Sequence, residues 1–337
     1  MENCRNFRFN LSLLSQHRTA LMGLAAIMII ACHAPASGVL MPNLAHKALS
    51  VGNLGVDVFL LLSGLGCWFS LNKSPQVMWG GQFYKKRFFR VYIPYLIIYV
   101  PFNICLLCLG QYEILDSLSS ILTLEYWLHH RGAWFVSLLV PLYLLCPLLN
   151  KLLSGEKKWF MCLATVLLIT VFSAIPLDAS KDNVLYNIQF AMSRVPSFII
   201  GMSLGQSCKE GKGISAYWIV VLLIIYVVFR ISFRSFNVAY LTVPIITCLL
   251  IAICCLCEKY SVYAFLTFMG TISLESYLTN ITLNKLCQAI IPSHISSPIF
   301  YGRYLEYAIV IVLGIVAAYL VNMLSKKINM GHWSCDR

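Results

Sequence analysis

Charge is what this sequence has least of: 11% of its 337 residues are Asp, Glu, Lys or Arg, against about 25% in a soluble globular domain. No polar stretch is long enough to fold as a soluble domain, so one membrane domain is the economical reading. An internal repeat is missing too, and with it the inverted-repeat signature of many transporters. No low-complexity linker divides the chain. A metal site is not expected. Most of the 14 cysteines lie in or beside apolar runs, where they act as small hydrophobes, and the cluster Cys254, Cys255, Cys257 has no His or carboxylate at ligand spacing.

What is abundant is apolar sequence, 59% of the chain. A bilayer core of about 30 Å takes roughly 20 apolar residues per helix, with every backbone group bonded internally. Ten segments meet this, near 19–40, 51–71, 91–110, 132–152, 159–177, 187–206, 215–233, 237–257, 262–283 and 305–325. The expected fold is therefore all-α, a polytopic transmembrane helix bundle of about ten spans. Its expected parts are an N-terminal tail over 1–17, a membrane domain over 18–327 and a C-terminal tail over 328–337. Arg5, Arg8 and Arg18 precede the first apolar run and Ala34-Pro35-Ala36 imitates a signal-peptidase site, but the first span is expected to stay uncleaved.

Net charge is +12, which in a soluble chain would raise the question of nucleic acid. With the N-terminus inside, 17 of the 25 Lys and Arg fall on the cytoplasmic side. That asymmetry is the positive-inside rule, so the charge reports topology and no nucleic-acid partner is expected. Both termini are expected in the cytoplasm and the chain in the inner or plasma membrane, with membrane lipids around it.

Ionisable residues inside spans are costly and read as functional first. His33, Asp57 and Glu275 lie in spans one, two and nine. Counting at 1.5 Å per residue puts all three in one layer toward the outer leaflet, roughly 20–22 Å from the cytoplasmic face. A His beside a carboxylate can take the proton of a hydroxyl nucleophile, the carboxylate fixing the tautomer and steadying the imidazolium. The plainer alternative is polar contact between helices. A third is a transporter for a glycan or small molecule, with His33, Asp57 and Glu275 as its proton relay. Before the third span, Lys85-Lys86-Arg87-Phe88-Phe89-Arg90 sets Arg87 and Arg90 three apart on one helix face. They could clamp phosphates from the cytosol, or simply obey the charge rule.

Six stretches, in order, resemble the acyltransferase-3 family of membrane acyltransferases, which O-acetylate lipopolysaccharide, peptidoglycan and other glycans. They are Leu21-Met22-Gly23-Leu24-Ala25-Ala26 leading to His33; Gly55-Val56-Asp57-Val58-Phe59-Leu60-Leu61-Leu62-Ser63-Gly64; and Lys86-Arg87-Phe88-Phe89-Arg90-Val91-Tyr92-Ile93-Pro94. The others are Ala133-Trp134-Phe135-Val136-Ser137 with Leu142-Tyr143-Leu144-Leu145-Cys146-Pro147; Arg194-Val195-Pro196-Ser197-Phe198-Ile199-Ile200-Gly201; and Gly270-Thr271-Ile272-Ser273-Leu274-Glu275-Ser276-Tyr277-Leu278.

The resemblance implies an O-acetyltransferase-like enzyme using acyl-CoA, acetyl-CoA foremost, as co-substrate. Its acceptor would be a sugar hydroxyl of a cell-envelope or exported glycan, or of a lipid-linked sugar, as in polysaccharide modification. It puts the catalytic histidine at His33, with Asp57 beside it, and the donor's phosphates at Arg87, Arg90 and Lys86. Ser63, Glu275 and Trp134 are expected along the acceptor's path. The chain departs from the family where Met22 replaces an Arg, for which Arg18 one turn earlier substitutes. Leu138-Leu139-Val140-Pro141 replaces a Glu-rich helix, and Asn280 replaces a second His.

Reporter fusions test the topology: fusions at the C-terminus and in the loop holding Arg87 should both report the cytoplasm. A periplasmic C-terminus would remove the ten-span arrangement.

Overall fold

The computed structural model describes residues 8–73, 81–180, 182–232, 238–290 and 303–335. Arg5, Lys181, Arg234 and Arg337, which enter the charge count above, lie outside the described residues. The main helices are α1 (Arg18–His33), α2 (Leu54–Leu71), α3 (Ile93–Cys108), α4 (Trp134–Leu152), α5 (Lys158–Ser173) and α6 (Val195–Lys209). There follow α7 (Ala216–Ser232), α8 (Val243–Cys257), α9 (Ser261–Thr271), α10 (Ser273–Ile290) and α11 (Tyr304–Cys335). Among the described residues, five stretches are long and apolar enough to cross a membrane, namely Asn43–Leu71, Gly81–Cys108, Trp134–Leu152, Ala239–Cys257 and Tyr304–Asn329. Shorter apolar helices include Arg18–His33 and Lys158–Ser173.

The departures from expectation have local causes. The first span stops at His33 and not near residue 40: Pro35 brings no N–H to continue the ladder, the chain tightens into a 3₁₀ turn over Pro35–Ser37, and Gly38 ends it in the left-handed region. The expected sixth span is two helices, Val184–Met192 and α6, parted at Ser193 and Arg194. The ninth is likewise broken at Ile272, between α9 and α10. Proline sits in the first turn of α6, at Pro196, where its missing N–H leaves nothing unpaired.

The bundle is not purely helical. Arg8–Asn10 pairs antiparallel with Gly213–Ser215, Phe9 opposite Ile214. Part of the expected N-terminal tail packs on the bundle: Leu11 donates its N–H to the Lys212 carbonyl at 3.1 Å, and Leu11 and Leu14 are buried. At the other end of the chain α11 runs on to Cys335, through the expected boundary at 327.

Helix packing at the centre is backbone against backbone. A methyl group on Gly64 of α2 would meet the Phe198 carbonyl of α6, and one on Gly201 of α6 would meet Leu61 of α2. Gly55 lies against the Ala25 carbonyl, Gly23 against that of Leu266, and Gly270 against that of Thr19. Lipid gives apolar side chains no reason to prefer each other, so close approach through small residues is what holds such helices together. The contacts also set direction: α2 runs antiparallel to α1 and parallel to α6. Opposite the end where Arg18 lies, Tyr112 donates to buried Glu125 and accepts from Lys285 Nζ at 2.6 Å, tying the loop after α3 to α10.

Gly64→Ala should lower stability by about 1–3 kcal/mol, the usual range for overpacking, whereas Gly81→Ala, which would meet nothing within 4 Å, should not. Thermal unfolding in detergent compares them, and equal midpoints for the two variants would refute the backbone-contact account.

Candidate functional site

A cavity of about 600 Å³ opens at the end of the bundle where α1 begins, between α1, α2, α3, α4, α10 and α11. That size is within the usual 300–1,000 Å³ of small-molecule sites. Six cations line it, Arg18, Lys73, Lys86, Arg87, Arg90 and Lys326, and Glu275 is the one acid among the described lining residues. Two of the cations are held in place. Arg18 Nε donates to the Leu62 carbonyl at 3.3 Å, and its guanidinium occupies the space that a side chain on Gly66 would need. Arg87 Nη2 donates to the Gly66 carbonyl at 3.1 Å, and its guanidinium lies 5.3 Å from the ring centres of both Phe83 and Tyr143. Two guanidiniums therefore converge on one glycine of α2.

Lys86 and Arg90 are exposed at the rim. The run Phe88–Tyr92 between Arg87 and α3 is π-helical, a wider turn that occurs frequently at functional sites. It keeps Arg87 and Arg90 on the same cavity wall. Met22, where the family pattern has Arg, also lines the cavity, and so does Arg18 one turn earlier. The cation is displaced by about 6 Å along α1.

Asp57 and His33 do not pair. Asp57 is fully buried, and both its oxygens are engaged, Oδ2 by Arg194 Nη1 and Oδ1 by the Ser197 hydroxyl at 2.9 Å. Such a carboxylate is not free to relay protons. Nor does the expected single layer exist. Gly55 lies against Ala25 and Gly52 against Met28, so in antiparallel register Asp57 stands level with Gly23. That is about ten residues, or roughly 15 Å, from His33 along the helix. The expected depths were counted from span ends, and Pro35 makes His33 the very end of α1.

The half-buried His33 is fixed by its own helix. Its Nδ1 is 2.8 Å from the Ile29 carbonyl, which can only accept, so Nδ1 carries the proton and Nε2 is left with its lone pair. Ile29 lines the basic cavity. On the other side the Ser37 hydroxyl donates to the His33 carbonyl at 3.0 Å, and Ser37 lines a second, smaller pocket of about 20 Å³, enough for a water. Asn284, Gln288, Arg303, Glu306 and Tyr307 share that pocket.

Ser63 and Glu275 both line the basic cavity. Glu275 is buried, and its Oε1 accepts from Asn322 Nδ2 at 2.8 Å. Trp134 is elsewhere, edge-on to Phe190 at 5.9 Å, and does not line the cavity. Sequence reasoning did not assign roles to Arg194, Lys73, Lys326 or Asn322. For Arg194 a signal existed, since an Arg beside the polar break of the sixth span needs a buried acid to meet.

A family profile described as an acyltransferase domain matches residues 20–323, most of the chain. No curated protein and no solved structure gives a significant match.

Breaking the buried pair has a calculable result. Asp57→Leu strands Arg194 and should cost about 3–5 kcal/mol, while Asp57→Leu with Arg194→Leu should recover much of that. Strictly additive losses in thermal unfolding would mean that the pair holds no energy of its own.

Proposed function

The chain belongs to the acyltransferase-3 family, and from that premise we propose that it moves an acetyl group from cytosolic acetyl-CoA to a sugar hydroxyl of an envelope or lipid-linked glycan. It is a membrane acyltransferase; the donor, the acceptor and the inner membrane as its site are our reading. The observation that carries this reading is the cationic cavity, whose lining reaches along α1 as far as Ile29, the residue whose carbonyl holds the ring of His33. The His33 carbonyl is tied to Ser37 of the smaller pocket at the other end.

On this reading the basic end faces the cytoplasm. A coenzyme A donor is polyanionic, and the six cations of the cavity, opposed by a single acid, would attract it. Guanidiniums already held by Gly66 and the Tyr143 ring lose little freedom when they meet phosphate. The exposed Lys86 and Arg90 would close over the head. The thioester would then extend past Ser63 toward Ile29.

The acceptor would come from the opposite end, where Ser37, Asn284 and Gln288 offer a hydroxyl and amides beside the Arg303–Glu306 pair, and the water-sized pocket there would have to widen to admit a sugar. The His33 Nε2 lone pair takes the proton of the attacking hydroxyl. A new oxygen–carbon bond forms at the thioester carbonyl, the carbon–sulfur bond breaks, and the imidazolium returns its proton to the departing thiolate. The Ile29 carbonyl holds the ring's tautomer, the task first expected of Asp57. Asp57 instead belongs to the joint between α2 and α6 that keeps the two openings aligned.

His33→Ala should reduce acyl transfer by roughly 10²–10⁴-fold, while the dissociation constant for acetyl-CoA stays within about threefold. Purified protein assayed for both quantities checks this. Near-normal turnover in the variant would reject His33 as the base.

A further inference from the structure

We propose that Glu275, with Ser325, recognises an amide in the flexible arm of the donor, an inference that rests on the donor reading above. Glu275 is the third residue of α10 and is 1% exposed. Asn322 Nδ2 fixes one of its oxygens and also donates to the Thr271 carbonyl at 3.2 Å, so the carboxylate is held beside the break between α9 and α10. Its other oxygen, Oε2, is buried in the cavity wall with no hydrogen-bond partner among the described residues. Buried polar atoms are nearly always bonded, and one left open on a cavity wall points to a ligand.

The chemistry of that ligand follows from what Oε2 needs. A cavity lined by six cations collects anions, and a carboxylate in its wall opposes this. Phosphates and a thioester carbonyl only accept hydrogen bonds, so neither can satisfy Oε2. A group with an N–H can. Ser325, one turn of α11 beyond Asn322, lines the same cavity, and its hydroxyl is likewise buried without a partner. A hydroxyl can donate to a carbonyl. An acceptor on α10 and a donor on the adjoining α11, lining one cavity, match the two sides of an amide, its N–H toward Glu275 and its C=O toward Ser325. Lys326 follows directly on Ser325 and Arg90 stands on the same wall, so the amide would sit next to the anionic head and not at the reactive tip.

Titration calorimetry on the full chain in nanodiscs separates this from a general effect of charge. The probes are coenzyme A, adenosine 3′,5′-bisphosphate, which has the head but no arm, and a coenzyme A analogue with ester oxygens in place of the arm's amide N–H groups. Glu275→Gln keeps the bond from Asn322 but turns an N–H toward the ligand. It should weaken coenzyme A by about tenfold and leave the bisphosphate within about twofold. The ester analogue should bind the unaltered protein about tenfold more weakly than coenzyme A, and the variant should add no further loss. The inference is overturned if the variant weakens both natural probes equally or leaves coenzyme A unchanged. It also falls if the ester analogue matches coenzyme A on the unaltered protein, a comparison that does not depend on how the variant folds. An unaltered protein binding neither coenzyme A nor the bisphosphate would overturn the donor reading itself.

Discussion

Helices in lipid gain nothing from hiding leucines against each other, so this bundle depends on backbones brought into contact. The crossings at Gly23, Gly55, Gly64, Gly201 and Gly270 leave no room for a side chain. They press α1 against α2 and α9, and α2 against α6. Every other feature uses the registers they set. Asp57 reaches Arg194 and Ser197 because α2 and α6 run parallel at contact distance. Arg18 and Arg87 meet at Gly66 because that position, too, has no side chain.

The second organising feature is an imbalance of charge. A cavity with six cations and one acid would repel itself in an empty apolar bundle, and the structure meets that cost by different means. Arg87 is spread over two aromatic faces and a carbonyl, Arg18 leans on a carbonyl, and Lys86 and Arg90 reach solvent. None of these arrangements neutralises the charge. An anion would.

Much of this was legible in the sequence, and what was not has physical reasons. The basic run before α3 and a histidine closing the first apolar run lie where the motifs suggested, whereas the packing of Gly55 and Gly64 was not foreseen. Ser63, Glu275, Lys86, Arg87, Arg90 and Arg18 share one cavity, although Ser63 and Glu275 were expected on the acceptor's path and the four cations with the donor. The partner of Asp57 was not legible, because Arg194 lies 137 residues away and sits in a helix break that hydropathy averages over. The depth of His33 relative to Asp57 was misjudged because a span was treated as one uniform rod. Pro35 and the helix Asn43–Ser50 before α2 change where each rod ends. Trp134 was drawn in by its motif, yet its ring packs among other aromatics.

The small ribbon joining Arg8–Asn10 to Gly213–Ser215 bears on the order of assembly. Its first strand is synthesised about 200 residues before its partner, an interval of roughly 10–40 s at ordinary translation rates. Through that time Arg8–Asn10 presents an unpaired edge, and Leu11 and Leu14 lack the α6 surroundings that later bury them. The ribbon can close only after the chain has been made through α6 and Gly213–Ser215. Contacts of such long sequence separation form late.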